Sequence, residues 1–326
     1  MLSGVRLLVH TPAELTSEYI NWARSRHETP GVTWGIEALD RYMNPAHPGE
    51  MVGLIGRPGA GKTSLLAILA KREAERIVAR GKEEEEAVVY VSWESASEEL
   101  ANFFLASPQH SVTDIARGCV PMDSIEKEAM GLLRQPIFVI GKGIGRPASI
   151  RMTADVVYNA IETMQEDFGI HPTLLLMDYL QIMPIKSHRD RVAAVAEAPV
   201  RIKELILTVG VPAFVGIQAS REVDTMAVKL PEQRHCQWGS SAEQGFDKLF
   251  SLWRPFLTEP TEGEGSVIEM ETGQQYKVIP ELLLVRKLKE RFAPGRATVA
   301  MWFEPQTLKL AELELRSIDT HWSDRL

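Results

Sequence analysis

Cysteine is nearly absent: Cys119 and Cys236 are the 2 cysteines in 326 residues, and they stand far apart. Two distant thiols support neither a disulfide framework nor a cysteine-based zinc site, and they favour a reducing, cytoplasmic location. Long apolar runs are missing as well. No stretch approaches the ~18 residues of a membrane-spanning helix, so no membrane partner is expected. The opening Met1-Leu2-Ser3-Gly4-Val5-Arg6-Leu7-Leu8-Val9 is too broken to be the core of a signal peptide. An excess of positive charge is missing too: 36 lysines and arginines stand against 44 acids, for a formal net charge of −8. That balance excludes a surface that coats nucleic acid all over. It leaves room for a narrow basic channel, because only residues that face phosphates matter. No internal repeat is evident. What remains is a globular composition, 44% hydrophobic and 25% charged, with ample material for a core.

The most informative stretch is Gly56-Arg57-Pro58-Gly59-Ala60-Gly61-Lys62-Thr63, which fits G-x-x-x-x-G-K-[ST]. Val52-Gly53-Leu54-Ile55 ahead of it reads as a buried strand, and Ser64-Leu65-Leu66-Ala67-Ile68-Leu69-Ala70 behind it opens a helix. Glycines let the backbone curl so that successive N–H groups face one anion, and the helix N-terminus adds its positive dipole end. ATP is therefore the expected ligand, held by residues 56–63 and Ser64. Lys62 is placed between the β- and γ-phosphates, and the Thr63 hydroxyl on Mg²⁺.

Alternation organises the rest. Apolar runs at Val52–Ile55, Val88–Ser92, Ile137–Ile140, Leu174–Met177 and Ala213–Ile217 predict strands buried on both faces. Helical stretches such as Ser64–Arg80, Ala154–Glu166 and Pro199–Val209 lie between them. Gly81-Lys82-Glu83-Glu84-Glu85-Glu86 is a solvated acidic loop, and Leu282–Val285 with Ala297–Phe303 predicts a hairpin-rich finish. The pattern defines an α/β, doubly wound core with a mainly parallel twisted sheet flanked by helices. Ahead of it, Thr11-Pro12-Ala13-Glu14 is a capping box, and Leu15, Tyr19 and Trp22 follow at helical spacing. This amphipathic helix packs either on its own domain or on a neighbouring subunit.

Ligands and catalytic groups gather at the carboxyl ends of strands in open α/β sheets. Leu174-Leu175-Leu176-Met177-Asp178 ends in a carboxylate suited to Mg²⁺, and Val88-Val89-Tyr90-Val91-Ser92-Trp93-Glu94 brings an acid suited to polarising the attacking water. Gln218, at the end of Val211–Ile217, is a candidate sensor of the γ-phosphate.

Taken in order, these pieces resemble the DnaB-like (superfamily 4) replicative DNA helicases. Gly31-Val32-Thr33-Trp34-Gly35-Ile36-Glu37-Ala38-Leu39-Asp40 resembles the entry segment. Pro48-Gly49-Glu50, the phosphate loop and Val91-Ser92-Trp93-Glu94 follow. Asp178-Tyr179-Leu180-Gln181-Ile182 is the most specific piece, since D-Y-L-Q after the acidic strand is a hallmark of that group. Gln218-Ala219-Ser220-Arg221, then Glu243-Gln244 with Asp247, then Lys289-Glu290-Arg291 with Pro294-Gly295, resemble the later motifs, so that the likeness runs from about Gly31 to Leu310.

The resemblance implies a RecA-like ATPase core, residues 29–313, assembled with copies of itself as a ring, commonly a hexamer, with each nucleotide between two subunits. Glu94 becomes the catalytic base, Asp178 the Mg²⁺ acid and Gln218 the sensor; Lys289 and Arg291 reach the neighbour's site, Arg291 as the finger. It also implies movement along single-stranded DNA, 5′-to-3′, during replication of a chromosome, phage, plasmid or mobile element. Loops carrying Lys186, Arg189 and Arg191, then Arg221, Lys229 and Arg234, line a channel that neutralises phosphates without reading bases. Residues 1–28 form an arm whose helix serves as a linker to the next subunit, in place of the helical domain through which bacterial members contact primase. A primase or a loader is the further partner implied, and residues 314–326 form a polar tail. His235-Cys236-Gln237-Trp238 departs from the family's more charged sequence. Two other readings stand beside this one: a RecA/RadA- or KaiC-like switch that binds DNA or protein without unwinding, and an interaction protein that binds ATP only to assemble. Asp178-Tyr179-Leu180-Gln181 disfavours the first, and the intact Lys62, Glu94 and Asp178 set disfavours the second.

Overall fold

Strand and helix signals assemble into one large sheet with helices on both faces. In a computed structural model of the protein, the described residues are 9–28, 31–145, 150–180, 183–184, 191–236, 245–258, 266–291, 293 and 295–313, without the side chains of 191–196. The chain starts with α1 (Pro12–Glu28) and the short α2 (Glu37–Asp40), enters the sheet at β1 (Met51–Gly56) and turns into α3 (Lys62–Ala79). β2 (Glu86–Ser92) is followed by α4 (Ser97–Leu105), α5 (Val112–Ala116) and α6 (Met122–Leu132), then β3 (Ile137–Ile140). The rhythm continues through α7 (Ala154–Phe168), β4 (His171–Asp178), α8 (Arg191–Val209) and β5 (Ala213–Gln218). Next come β6 (Lys248–Trp253), the one-turn α9 (Pro255–Thr258), and a hairpin of β7 (Val267–Glu269) and β8 (Gln275–Lys277). β9 (Leu282–Glu290), β10 (Ala297–Glu304) and β11 (Lys309–Glu312) follow.

Among the described residues the main sheet has the order β11-β10-β9-β6-β1-β5-β4-β2-β3. The six strands from β6 to β3 are parallel, while β9, β10 and β11 add an antiparallel edge. Successive strand residues point to opposite faces, and two cores result. Leu174, Leu176 and Phe214 join α3 and Trp34 on one face; Leu175, Met177 and Val215 join α7 and α8 on the other. Trp34 packs edge-on against both Phe214 and Phe250, at 5.4 and 5.3 Å, and so ties the entry segment to the middle of the sheet.

Several elements differ from expectation. α8 begins at Arg191, well before Pro199, and carries that proline inside. An interior proline costs ~3 kcal/mol or more, but Ala198, Ile202, Leu205 and Ile206 are buried against the sheet and offset it. β6 escapes a search for apolar runs because it contains Lys248 and Ser251, both buried. Lys248 is accommodated by an ion pair with Glu50 at 2.8 Å. α1 forms with its capping box intact, Glu14 N–H donating to Thr11 Oγ1 and Thr11 N–H to Glu14 Oε2. Yet no residue of α1 is buried. Leu15, Tyr19, Ile20 and Trp22 are exposed, so its apolar side is not packed on its own domain.

Candidate nucleotide-binding site

The parallel strands bring five carboxyl ends to one side of the sheet. β1 delivers the glycine-rich loop, β2 delivers Glu94 just past its end, β4 ends on Asp178 and β5 on Gln218. β6 delivers Arg254. Lys62, Thr63, Glu94, Asp178, Gln218 and Arg254 all line one cavity of about 440 Å³, whose walls include Pro58, Gly59, Gly61 and Ser64. A cleft of this size suits a small molecule.

The loop's shape follows from its glycines. Gly59 and Gly61 have φ of 80° and 88°, the left-handed region that side chains disfavour. A Cβ on Gly61 would also stand 2.3 Å from the Phe303 ring. At the start of α3, Lys62 Nζ donates to the loop carbonyls of Gly56 and Arg57 at 2.9 and 3.2 Å. Burial pushes the Lys62 ammonium down to about 8, although the charges of Asp178 and Glu94 oppose that shift. Arg57 turns away from the cavity and binds Asp224, while Ala60 closes the turn by donating its N–H to Arg57 O.

Thr63 Oγ1 donates to Asp178 Oδ2 at 2.5 Å. A hydroxyl at the first turn of a helix against a buried carboxylate is the hard oxygen pair that Mg²⁺ prefers. Burial raises the Asp178 carboxyl, while hydrogen bonds from Thr63 and Tyr90 and the charge of Lys62 pull it back. Trp93 N–H donates to Asp178 O at 2.9 Å, which locks the end of β2, and with it Glu94, beside the end of β4. Burial, and then the neighbouring Asp178 charge, raise Glu94, while Lys62 lowers it. Sequence reasoning missed Arg254 because it missed β6; the carboxyl-end rule would have found the residue had that strand been recognised. Its Nε is buried without a hydrogen-bond partner, an unmet donor beside a cavity that fits an anion. The donor set as a whole therefore fits a nucleotide with its metal.

Lys289 and Arg291 lie elsewhere. β9 runs antiparallel to β6, pairing Leu249 with Lys289, so both residues sit at the amino-terminal end of β6, across the sheet from the phosphate loop. Six strand residues span roughly 20 Å. Arg291 Nη1 meets Asp247 Oδ1 at 3.6 Å, its side chain 66% exposed. Of the basic loop residues, Arg221 and Arg234 are exposed, whereas Lys229 is half-buried and donates to Thr258 O at 3.4 Å. Lys186 and Arg189 lie outside the described residues, as do Gln181, Ile182, Glu243 and Gln244; Arg191 opens α8, its side chain outside them too.

A RecA-like P-loop ATPase is the class that this sheet and this site define. More narrowly, the chain belongs to the DnaB-like helicase family, whose C-terminal domain model matches residues 31–310. It is similar to the replicative DNA helicase DnaB of Rickettsia bellii, with 24% identity over 303 residues, 88% of this chain and 58% of that protein. The DnaB of Pasteurella multocida is also 24% identical, over 265 residues, 79% of this chain and 54% of the relative. The chain thus spans little more than half the length of these relatives. Two solved structures share the fold at 18% identity. One is a DnaB-like replicative helicase described with its interactions with primase, at a TM-score of 0.71 over 94% of this chain and 69% of that one. The other is an isolated ATPase domain, at a TM-score of 0.72 over 93% of this chain and 99% of that one.

Proposed function

We propose that the protein is the motor of a ring-forming, ATP-dependent DNA helicase that moves 5′-to-3′ along single-stranded DNA in the replication of a chromosome, phage, plasmid or mobile element. One observation carries the reading: Arg291 stands across the sheet from its own chain's phosphate loop. A finger placed there serves a nucleotide held by another subunit, which calls for a ring, a hexamer in this family.

Within one site, Lys62 and the loop N–H groups bind the phosphates, and Glu94 takes the proton from the attacking water. Gln218 reports the γ-phosphate to the segment after β5, and Lys289 and Arg291 arrive from the neighbour. Arg254 supplies a further positive charge from the nucleotide-holding subunit. Thr63 and Asp178 would hold Mg²⁺, which neutralises charge on the phosphates. Arg221, Lys229 and Arg234, with Lys186, Arg189 and Arg191, form the channel for single-stranded DNA.

The same reading divides the chain into an arm at 1–28, the ATPase at 29–313 and a tail at 314–326. The uncovered apolar side of α1 supports its docking on the next subunit. A primase or loader would join the assembly in the cytoplasm; among the described residues no helix is long and apolar enough to cross a membrane. The test is unwinding of a forked duplex with ATP, polarity recorded, beside Lys62→Ala. ATP-dependent strand binding without unwinding would favour the nucleotide-controlled switch.

A further inference from the structure

Tyr90 occupies the middle of β2 and is fully buried, with its ring edge-on to Phe104 at 5.9 Å. Its hydroxyl donates to Asp178 Oδ2, 3.3 Å away. Packing alone would be served by phenylalanine, and a buried hydroxyl is tolerated only with a partner. Here that partner is the carboxylate already assigned to the metal.

The surroundings of Asp178 are built to hold it still. Oδ2 accepts from Thr63 on the phosphate-loop side and from Tyr90 on the sheet side. Oδ1 lies over Gly216 of β5, where a Cβ would come within 3.2 Å of it. Glycine there leaves the carboxylate its space, and the two hydroxyls set its rotation. Thr63 must also offer its oxygen to the metal, whereas Tyr90 has no second duty among the described residues. We propose that Tyr90 is a positioning residue for the Mg²⁺ site, holding the Asp178 carboxylate in its metal-ready orientation from beneath the phosphate loop. The inference rests on the assignment of Thr63 and Asp178 to Mg²⁺. It adds a second layer to that site, contributed by a strand that carries no metal ligand itself.

Tyr90→Phe removes the hydroxyl and keeps the ring. The readout is equilibrium binding of a fluorescent ATP analogue as Mg²⁺ is titrated, with no turnover required. The Mg²⁺ concentration at half-effect should rise about tenfold, the usual weight of a hydrogen bond to a charged group. Metal-free nucleotide affinity should stay at the wild-type value, and the fold should remain intact. An unchanged Mg²⁺ midpoint overturns the proposal. So does equal weakening with and without metal, or a collapse of the fold, either of which would give the hydroxyl a general structural role. In an Asp178→Asn background the same substitution should add less than a twofold effect, because it acts through that carboxylate; a full additive effect also overturns it. Asp178→Asn alone, if it leaves the Mg²⁺ midpoint where it was, sinks the metal assignment itself and is thereby distinguished from a failure of Tyr90.

Discussion

Arg57 of the phosphate loop grips Asp224 with one edge of its guanidinium, Nε to Oδ1 at 2.8 Å and Nη2 to Oδ2 at 2.7 Å. Nη1 donates to Ala219 O at 3.0 Å, and Ala219 forms a bridge with Cys236. One loop residue therefore holds both the neck and the body of the excursion that leaves β5 after Gln218. Asp224 is 48% exposed, and pairs that open to water contribute only ~0–1 kcal/mol. The pair therefore adds little stability; on the proposed function, it ties the phosphate loop to the segment that carries Arg221, Lys229 and Arg234.

Asp224→Ala should leave the melting temperature nearly unchanged and reduce the ATP-dependence of single-strand binding. Measured by anisotropy of a labelled oligonucleotide, the ratio of affinities with and without ATP should fall towards one. Arg57→Ala should do the same, and the double variant should do no more. A preserved ratio would route the nucleotide signal through Gln218 alone.

Lys62 predicts a pH dependence of binding. Its folded value, about 8, lies below the ordinary 10.5. The unfolded chain then binds more protons between those values, so the ligand-free fold gains stability as pH rises through that window. Nucleotide phosphates favour the charged form, so ATP affinity should be flat below about pH 8 and fall up to tenfold per pH unit above it. Isothermal titration from pH 7 to 9.5 checks this. Lys62→Ala should bind weakly with no such slope and should not hydrolyse ATP.

Glu94 and Asp178 should separate by their effects. Glu94→Gln should retain ATP with Mg²⁺ but lose ~10²–10⁴-fold in turnover, the usual weight of general-base help. Because burial and Asp178 raise the Glu94 carboxyl, the acid limb of the wild-type pH–rate profile should lie above the ordinary glutamate range. Asp178→Asn should instead raise the Mg²⁺ requirement. Equal, modest losses in both variants with no change in metal requirement would mean that the two roles are misassigned.

Arg291 should act across a subunit boundary. Arg291→Ala is expected to bind ATP and to lose on the order of 10³–10⁵ in rate, as other finger arginines do. Mixed with Lys62→Ala under conditions that exchange subunits, it should recover part of the activity, since some interfaces then carry both intact residues. Exchange without recovery would show that Arg291 does not act in trans.

The phosphate loop, the two acids and Gln218 were legible because their signals are local. A glycine spacing, a buried run and the residue that ends it occupy one short segment each, and short-range sterics and periodicity decide them. The helix of Pro12 was legible for the same reason, down to its capping box. Where its apolar side goes was not, since covering a face is a matter between elements.

The order of the strands belongs to tertiary structure alone. It depends on which apolar faces bury one another, and neighbours in the sheet are remote in the chain. That order inserts β6 between β1 and β9. As a consequence Arg254 joins the phosphate loop, and Arg291 is carried to the opposite end. The same non-local packing sets Tyr90 against Asp178, 88 residues further along, and Arg57 against Asp224, 167 residues away. Sequence alone determined the phosphate loop and marked Lys62, Thr63, Glu94, Asp178 and Gln218, which the fold gathers around one cavity, but it did not mark Arg254. Which partners orient those residues, and which end of the sheet carries Arg291, was decided only when the faces closed, because burial of apolar surface is blind to sequence distance.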